Sequence, residues 1–164
     1  VYILDSNVLI AAKNLHYAFD IVPGFWEWLD GQLAVRTVCS VEEVFSEISK
    51  GDDELVGWAS NHKPRFEPHS EDSAECLKLL SRWALAQPYT RAAVDKFMGS
   101  ADLHVIAFAM AHNHTVVTHE KSEPTSKRSI KIPDVCLAHN VEVMGPFEMM
   151  RQERARLVLP PRNA

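Results

Sequence analysis

Tyr2-Ile3-Leu4-Asp5-Ser6-Asn7-Val8-Leu9-Ile10-Ala11-Ala12 opens with a short apolar run and then turns abruptly polar. Such a run marks a strand buried on both faces. Asp5-Ser6-Asn7 are short polar side chains of the kind that bond backbone N–H groups and open helices. Asp5 thereby falls at the carboxyl end of a first strand, where open α/β sheets hold their ligands. Taken alone, Asp5 could be no more than a cap for the next helix. Carboxylates at comparable positions elsewhere in the chain decide between these readings.

A second β-branched run, Thr115-Val116-Val117-Thr118, ends in His119-Glu120 as the first strand ends in Asp5. Between the two lies a further expected strand at residues 33–38. Ser40 is then read as the cap of a helix that Gly51 ends. Val41, Val44, Phe45 and Ile48 in that helix follow the i, i+3, i+4, i+7 rule. At about 100° per residue Glu43 lies nearly opposite this stripe, whereas Glu47 borders it and is better placed to reach a site. The helix opened by Gly99-Ser100-Ala101-Asp102 is apolar nearly all round. Asp102 shares a face with Val105, Ile106 and Ala109, and a carboxylate on a buried stripe is costly unless something compensates it. Ser100 or first-turn N–H groups could do so; a metal ion would do so better.

The remaining chain is read as connecting structure. A short helix covers residues 8–13 and an irregular segment residues 14–22. Pro23-Gly24 is a turn, and an aromatic helix from Phe25 ends near Gly31, with its aromatics serving packing. Asp52-Asp53-Glu54 caps a helix to about residue 61. Residues 65–67 are extended, and helices span residues 70–85 and 90–98 without legible chemistry. Residues 121–131 carry Lys121, Lys127, Arg128 and Lys131 against Glu123 alone, the strongest local basic patch. A short helix, a last strand at residues 141–144, a final helix from Pro146 and a Pro160-Pro161 tail complete the chain. Strands followed by helices predict a mostly parallel sheet covered on both faces.

The chain has 164 residues, 46% hydrophobic and 24% charged, enough for one sizeable core. No apolar run reaches the roughly 18 residues of a membrane span. The apolar start is short and lacks the basic flank of a signal peptide. Cys39, Cys76 and Cys136 are odd in number and lack C-x-x-C spacing, as reduced cytoplasmic thiols do. With a net charge of −5, a polyanion partner requires a local basic patch or a metal ion.

Asp5, Glu47, Asp102 and Glu120 come from four elements that a parallel sheet can bring to one edge. Four packed carboxylates repel, and a hard divalent cation removes the conflict. Oxygen-only ligands suit Mg²⁺ or Mn²⁺, which can activate a water and take phosphate oxygens. No G-x-G-x-x-G follows the first strand, and no His/Cys pair has zinc-ligand spacing. The contiguous His112-Asn113-His114 does not have the spread of a ββα-metal nuclease.

The strand-Asp5-Ser6-Asn7 opening, Glu47-Ile48-x-x-Gly51, Ala101-Asp102-x-x-Val105-Ile106-Ala107 and Val117-Thr118-His119-Glu120 resemble the PIN domain in order and spacing. That family includes the VapC-type toxins of bacterial toxin–antitoxin modules, and the resemblance spans about residues 2–145. Ala11-Ala12-Lys13-Asn14, Pro23-Gly24-Phe25-Trp26-x-Trp28-Leu29 and Lys131-Ile132-Pro133-Asp134-Val135-Cys136 look like a bacterial branch of it. The resemblance implies a three-layer α/β/α sandwich with a central mostly parallel sheet, formed by a single PIN-like domain over residues 1–150. Residues 151–164 then form a basic helix end and tail.

It also implies a cytoplasmic Mg²⁺- or Mn²⁺-dependent ribonuclease with an RNA substrate, a cognate antitoxin and a homodimer. By position, Asp5, Glu47 and Asp102 match its core acids, with Glu43 the competitor for the second place. Glu120 matches the more variable fourth acid, where Asp is commoner. Ser6 or Asn7 matches the residue supporting the first acid, and Lys121, Lys127, Arg128 and Lys131 are candidates for RNA-phosphate contacts. The Arg151, Arg154 and Arg156 cluster suits a long polyanion or an acidic partner segment. The competing readings are a PIN-fold interaction module with little catalysis and a metal-dependent phosphohydrolase of a small substrate.

Overall fold

The computed structural model describes residues 1–158. The Pro160-Pro161 end of the expected tail lies outside the described residues. Strand β1 (Tyr2–Leu4) is followed by α1 (Ser6–Ala11), which continues as a wider π-helical turn, Ala12–His16. Next come α2 (Pro23–Ala34), β2 (Val38–Val41), α3 (Glu42–Ile48) and α4 (Glu54–Asn61). A single 3₁₀ turn, Lys63–Arg65, precedes β3 (Phe66–Glu67). Helices α5 (Glu71–Ala86), α6 (Arg91–Met98) and α7 (Ala101–His112) follow. β4 (Thr115–Val117), α8 (Ile132–Ala138), β5 (Val143–Met144) and α9 (Pro146–Gln152) complete the described chain.

The five strands form one sheet, all parallel, in the order β3-β2-β1-β4-β5. Ile3 pairs with Cys39 on one side and Val116 on the other, so β1 is the central strand, flanked by β2 and β4. Successive residues of β1, β2 and β4 are buried, because helices cover both faces. Helix α7 packs against β1, β2 and β4, with α5 along its outer side, while α2 packs against β2. Ile3, Val116, Val105 and Ile106 are fully buried in this core. Each such side chain stabilises the fold by about 1.5–3 kcal/mol.

The chain runs outward from β1 to β2 and β3, then returns to place β4 and β5 on the opposite side of β1. The strand order therefore reverses between β1 and β4. A crevice opens at such a point outside the carboxyl ends of the two strands. Asp5 directly follows β1, and Thr118-His119-Glu120 directly follow β4.

Several boundaries differ from those expected. The helix expected to end near Gly31 continues to Ala34, because Leu33 extends the buried face of Phe25, Trp26 and Leu29 by one turn. Pro23 accordingly opens that helix at its first position instead of closing a turn. The second strand moves from residues 33–38 to Val38–Val41, which puts Ser40 inside it. Ser40 is thus not a helix cap; its hydroxyl donates to the Leu4 carbonyl at 2.6 Å and ties β2 to the end of β1. The Asp53 and Ser70 caps form as expected, Asp53 accepting from Leu55 N and Ser70 exchanging bonds with Ser73. No described helix is long and apolar enough to cross a membrane.

Candidate functional site

Asp5 lies at the mouth of the β1–β4 crevice and is only 2% exposed. Its backbone N–H donates to the Val117 carbonyl, so the sheet ladder itself fixes its position. The Thr118 hydroxyl donates to Asp5 Oδ2 at 3.0 Å, and the Ser6 hydroxyl lies 3.4 Å from Oδ1. Thr118 Oγ1 in turn accepts from Asn7 Nδ2 at 3.0 Å and from the Glu120 N–H at 3.1 Å. Asn7 Oδ1 accepts from the His119 N–H at 3.0 Å. Asn7 therefore clamps the β4 end to α1, and Thr118 orients the carboxylate. Of the supporting residues expected, Ser6 touches Asp5 directly and Asn7 acts through Thr118. The Thr118 role has no counterpart in the sequence reading, where it was only the last residue of a β-branched run.

Asp102 approaches from the first turn of α7. Burial first, and then the Asp102 charge, push Asp5 up to about 7 against the Thr118 hydroxyl and Ser6 backbone hydrogen bonds, which lower it. Burial, followed by the Glu120 and Glu47 charges, likewise pushes Asp102 up to about 6. Among the described residues no lysine or arginine forms a salt bridge with either aspartate.

The two glutamates are engaged differently. Glu47 Oε1 accepts from the Ala101 N–H at 3.2 Å, so α3 caps the N-terminus of α7 beside Asp102. Ser100, the N-cap residue, makes no side-chain capping bond and donates instead to the Phe97 carbonyl. Glu120 Oε2 accepts from the Ile132 N–H at 2.9 Å, capping α8, while Oε1 lies 3.5 Å from Lys131 Nζ. Each glutamate accepts an N–H at a helix N-terminus, which favours its charge. Asp5, the N-cap residue of α1, and Asp102, in the first turn of α7, stand at helix starts too, but burial outweighs that help and raises both. Glu47 reaches the Asp102 neighbourhood; Glu43, its competitor, turns to a different cluster.

Lys131 is half-buried and committed to Glu120, so it orients an acid rather than standing free for phosphate. Lys121, Lys127 and Arg128 are exposed, and none forms a salt bridge among the described residues. His119 is half-buried with its ring 5.7 Å from that of His16; burial and then His16 hold it below the usual imidazole value. Cys39 and Cys136 are buried free thiols, each pushed up to about 12 by burial and therefore inert.

The four predicted acids do not close into a compact ligand shell. Among the described residues, the side chains whose ligand atoms all lie within 4.8 Å of one another are Glu43, His69 and His104. Asp5, Asp102, Glu47 and Glu120 do not form such a group among the described residues. Burial lowers the His104 value, with Glu43 pulling it up and His69 pushing it down.

The family described as "Domain of unknown function (DUF4411)" matches residues 2–157. No curated protein matches the chain. Among solved structures, the chain is similar to VapBC2 from Rickettsia felis, crystallised bound to a DNA fragment from their promoter. That likeness has a TM-score of 0.55 at 18% identity and covers 88% of this chain and 97% of the other. FitAcB from Neisseria gonorrhoeae gives a TM-score of 0.55 at 18% identity, covering 90% of this chain and 99% of the other. The likeness is one of fold, and the PIN-like α/β/α architecture expected from the sequence is the one observed.

Proposed function

The chain belongs to the DUF4411 family, and we propose that it is a divalent-metal-dependent endoribonuclease, the toxin of a type II toxin–antitoxin pair. The observation that carries this reading is the Asp5–Asp102 pair at the crevice where the strand order reverses. Both carboxylates are raised towards neutrality by burial and by neighbouring acids, and neither is salt-bridged among the described residues. A protein that uses this edge only for packing has no need of such an arrangement.

The donor set is all oxygen, which fits Mg²⁺ or Mn²⁺ held by Asp5 and Asp102 with Glu47 and Glu120 at the margins. Bound there, the ion supplies a water of lowered pKa and charge stabilisation for an in-line phosphodiester displacement. The chain's own residues supply the positioning. Thr118 holds the Asp5 carboxylate through Oδ2, and Asn7 holds Thr118. Glu47 couples the acid edge of α3 to the start of α7. Lys131 and the α8 N-terminus fix Glu120. Lys121, Lys127 and Arg128, exposed and without a salt bridge among the described residues, are the groups that would draw in the RNA backbone. The fold shared with the VapBC2 and FitAcB structures supports a protein antitoxin as partner; a homodimer and a cytoplasmic location belong to the same proposal.

Cleavage of a mixed RNA pool tests the reading. Wild-type protein with Mg²⁺ or Mn²⁺ should give defined cuts that EDTA, Asp5→Asn and Asp102→Asn each abolish. Cleavage that survives both substitutions, or a wild-type protein without activity, sinks the catalytic assignment.

A further inference from the structure

Glu43, His69 and His104 stand on three separate elements that pack together. Glu43 lies in the first turn of α3, His104 in the second turn of α7, and His69 between β3 and α5. His69 Nε2 lies 2.6 Å from Glu43 Oε1 and 3.1 Å from His104 Nδ1, which is itself 3.5 Å from Glu43 Oε1. The three ligand atoms therefore form a small triangle.

Hydrogen bonding does not satisfy that triangle. A neutral imidazole carries one N–H. If His69 Nε2 is protonated and donates to Glu43, it has no lone pair left to accept from His104. If His69 donates to His104 instead, the Glu43 contact loses its donor. If both rings present N–H groups to Glu43, those groups face each other across 3.1 Å. Glu43 Oε2 is buried and has no hydrogen-bond partner among the described residues, so the carboxylate gains nothing on its other side. A cation at the centre accepts all three lone pairs at once.

The geometry and the donor types agree on the cation. With metal–ligand bonds of about 2.0–2.2 Å, tetrahedral ligands stand roughly 3.3 Å apart. The 3.1 and 3.5 Å separations are close to this, and the 2.6 Å His69–Glu43 contact has to open by about 0.7 Å to admit the ion. Two imidazole nitrogens and one carboxylate oxygen are a borderline set that favours Zn²⁺ or Co²⁺ over the hard Mg²⁺. The His69 side chain is 42% exposed, which leaves an open side for a water as fourth ligand. The ligands are also held in advance. Pro68 precedes His69, and the Ser70–Ser73 capping box follows it. α3 and α5 both pack on α7.

We propose that Glu43, His69 and His104 form a transition-metal site, selective for Zn²⁺ over Mg²⁺, that ties the β3–α5 turn to α3 and α7. Those two helices carry Glu47 and Asp102, one turn beyond Glu43 and two residues before His104. The site is chemically separate from the oxygen-only acid edge and stands whether or not that edge is catalytic.

Full-length protein stripped with chelator and returned to buffer with excess Mg²⁺ provides the test. Zn²⁺ is titrated against a chromophoric chelator, and Co²⁺ is followed by its visible absorption. A single tight Zn²⁺ equivalent and a tetrahedral or five-coordinate Co²⁺ spectrum are expected, both kept in an Asp5→Asn/Asp102→Asn protein. His69→Ala and His104→Gln should weaken Zn²⁺ binding by about 100-fold or more, since outer-shell partners alone account for about 10–100-fold. His69 sits in an exposed turn, so its variant keeps the fold, which circular dichroism checks. Tight Zn²⁺ binding that persists in His69→Ala, or that disappears with the two aspartates, overturns the proposal. So does a wild-type protein that binds no Zn²⁺ in the presence of Mg²⁺.

Discussion

Thr118 concentrates three hydrogen bonds on one hydroxyl, donating to Asp5 and accepting from Asn7 and the Glu120 N–H. Valine keeps its shape and removes all three. Thr118→Val should cost about 1–3 kcal/mol, because it leaves the half-buried Asn7 amide and the buried Asp5 Oδ2 without their partner. It should also lower RNA cleavage by about ten-fold or more, an Asp5 displacement worth at least about 1.4 kcal/mol in the transition state. Thermal melts and cleavage rates check this, and Thr118→Ser should recover most of both. A Thr118→Val protein as stable and active as wild type would show that Asp5 is held by other means. The sequence exposed Asp5 and Asp102 because a carboxylate inside an apolar pattern is a local contradiction. It hid Thr118, whose β-branch already explained its place after a strand. It hid His69 and His104 as well: they are 35 residues apart, and each sits in an ordinary local context that gives no metal-ligand spacing.

At the level of elements, two helices are capped by acids from elsewhere in the chain. Glu47 serves α7 and Glu120 serves α8. This separates the structural work of Glu47 from its charge. Glu47→Gln retains an oxygen for the Ala101 N–H, whereas Glu47→Ala does not. The alanine protein should be less stable than the glutamine protein by about 0.5–2 kcal/mol, the usual worth of a cap. Both should lose most cleavage if the charge matters to the site. Denaturant melts of the pair measure the first difference, and equal stabilities would remove Glu47 as the α7 cap. The helical projection set Glu47 and Glu43 on different faces of α3, and in the structure Glu47 bonds the start of α7 while Glu43 meets His69. It could not place the β2 boundary. Leu33 reads equally well as the start of a strand or as the next buried position after Leu29, and only packing of α2 decides. The two-residue β5 is shorter than expected for a similar reason: Val141 and Glu142 lie outside it although their pattern alternates.

Over the whole molecule, the alternation of strands and helices made a parallel sheet legible, since each crossover leaves room for little else. The order β3-β2-β1-β4-β5 was not legible, and it is the order that creates the crevice between Asp5 and Glu120. Closing that crevice around two raised aspartates should leave a pH signature on global stability. Asp5 ionises near 3.8 when unfolded but at about 7 when folded, and Asp102 at about 6 when folded. Between these values the folded chain binds more protons than the unfolded one, so metal-free stability falls as pH rises. The contribution is fully present below about pH 4 and is lost as pH passes through 6 and 7. At 1.36 kcal/mol per pKa unit, Asp5 alone sets an upper bound of about 4 kcal/mol. In EDTA, Asp5→Asn should therefore melt above wild type at pH 8, with the gap shrinking towards pH 5. Mg²⁺ reverses the sign, because it binds the ionised carboxylates and competes with protons for them. Its stabilisation of wild type should grow from pH 5 to pH 8 and be absent in the Asp5→Asn/Asp102→Asn protein. Melting temperatures across that range, with EDTA and with Mg²⁺, decide the matter without any RNA substrate. Identical pH profiles for wild type and Asp5→Asn in EDTA would mean that the aspartates are not strained by their burial, and the argument for a cation between them would fail at its root.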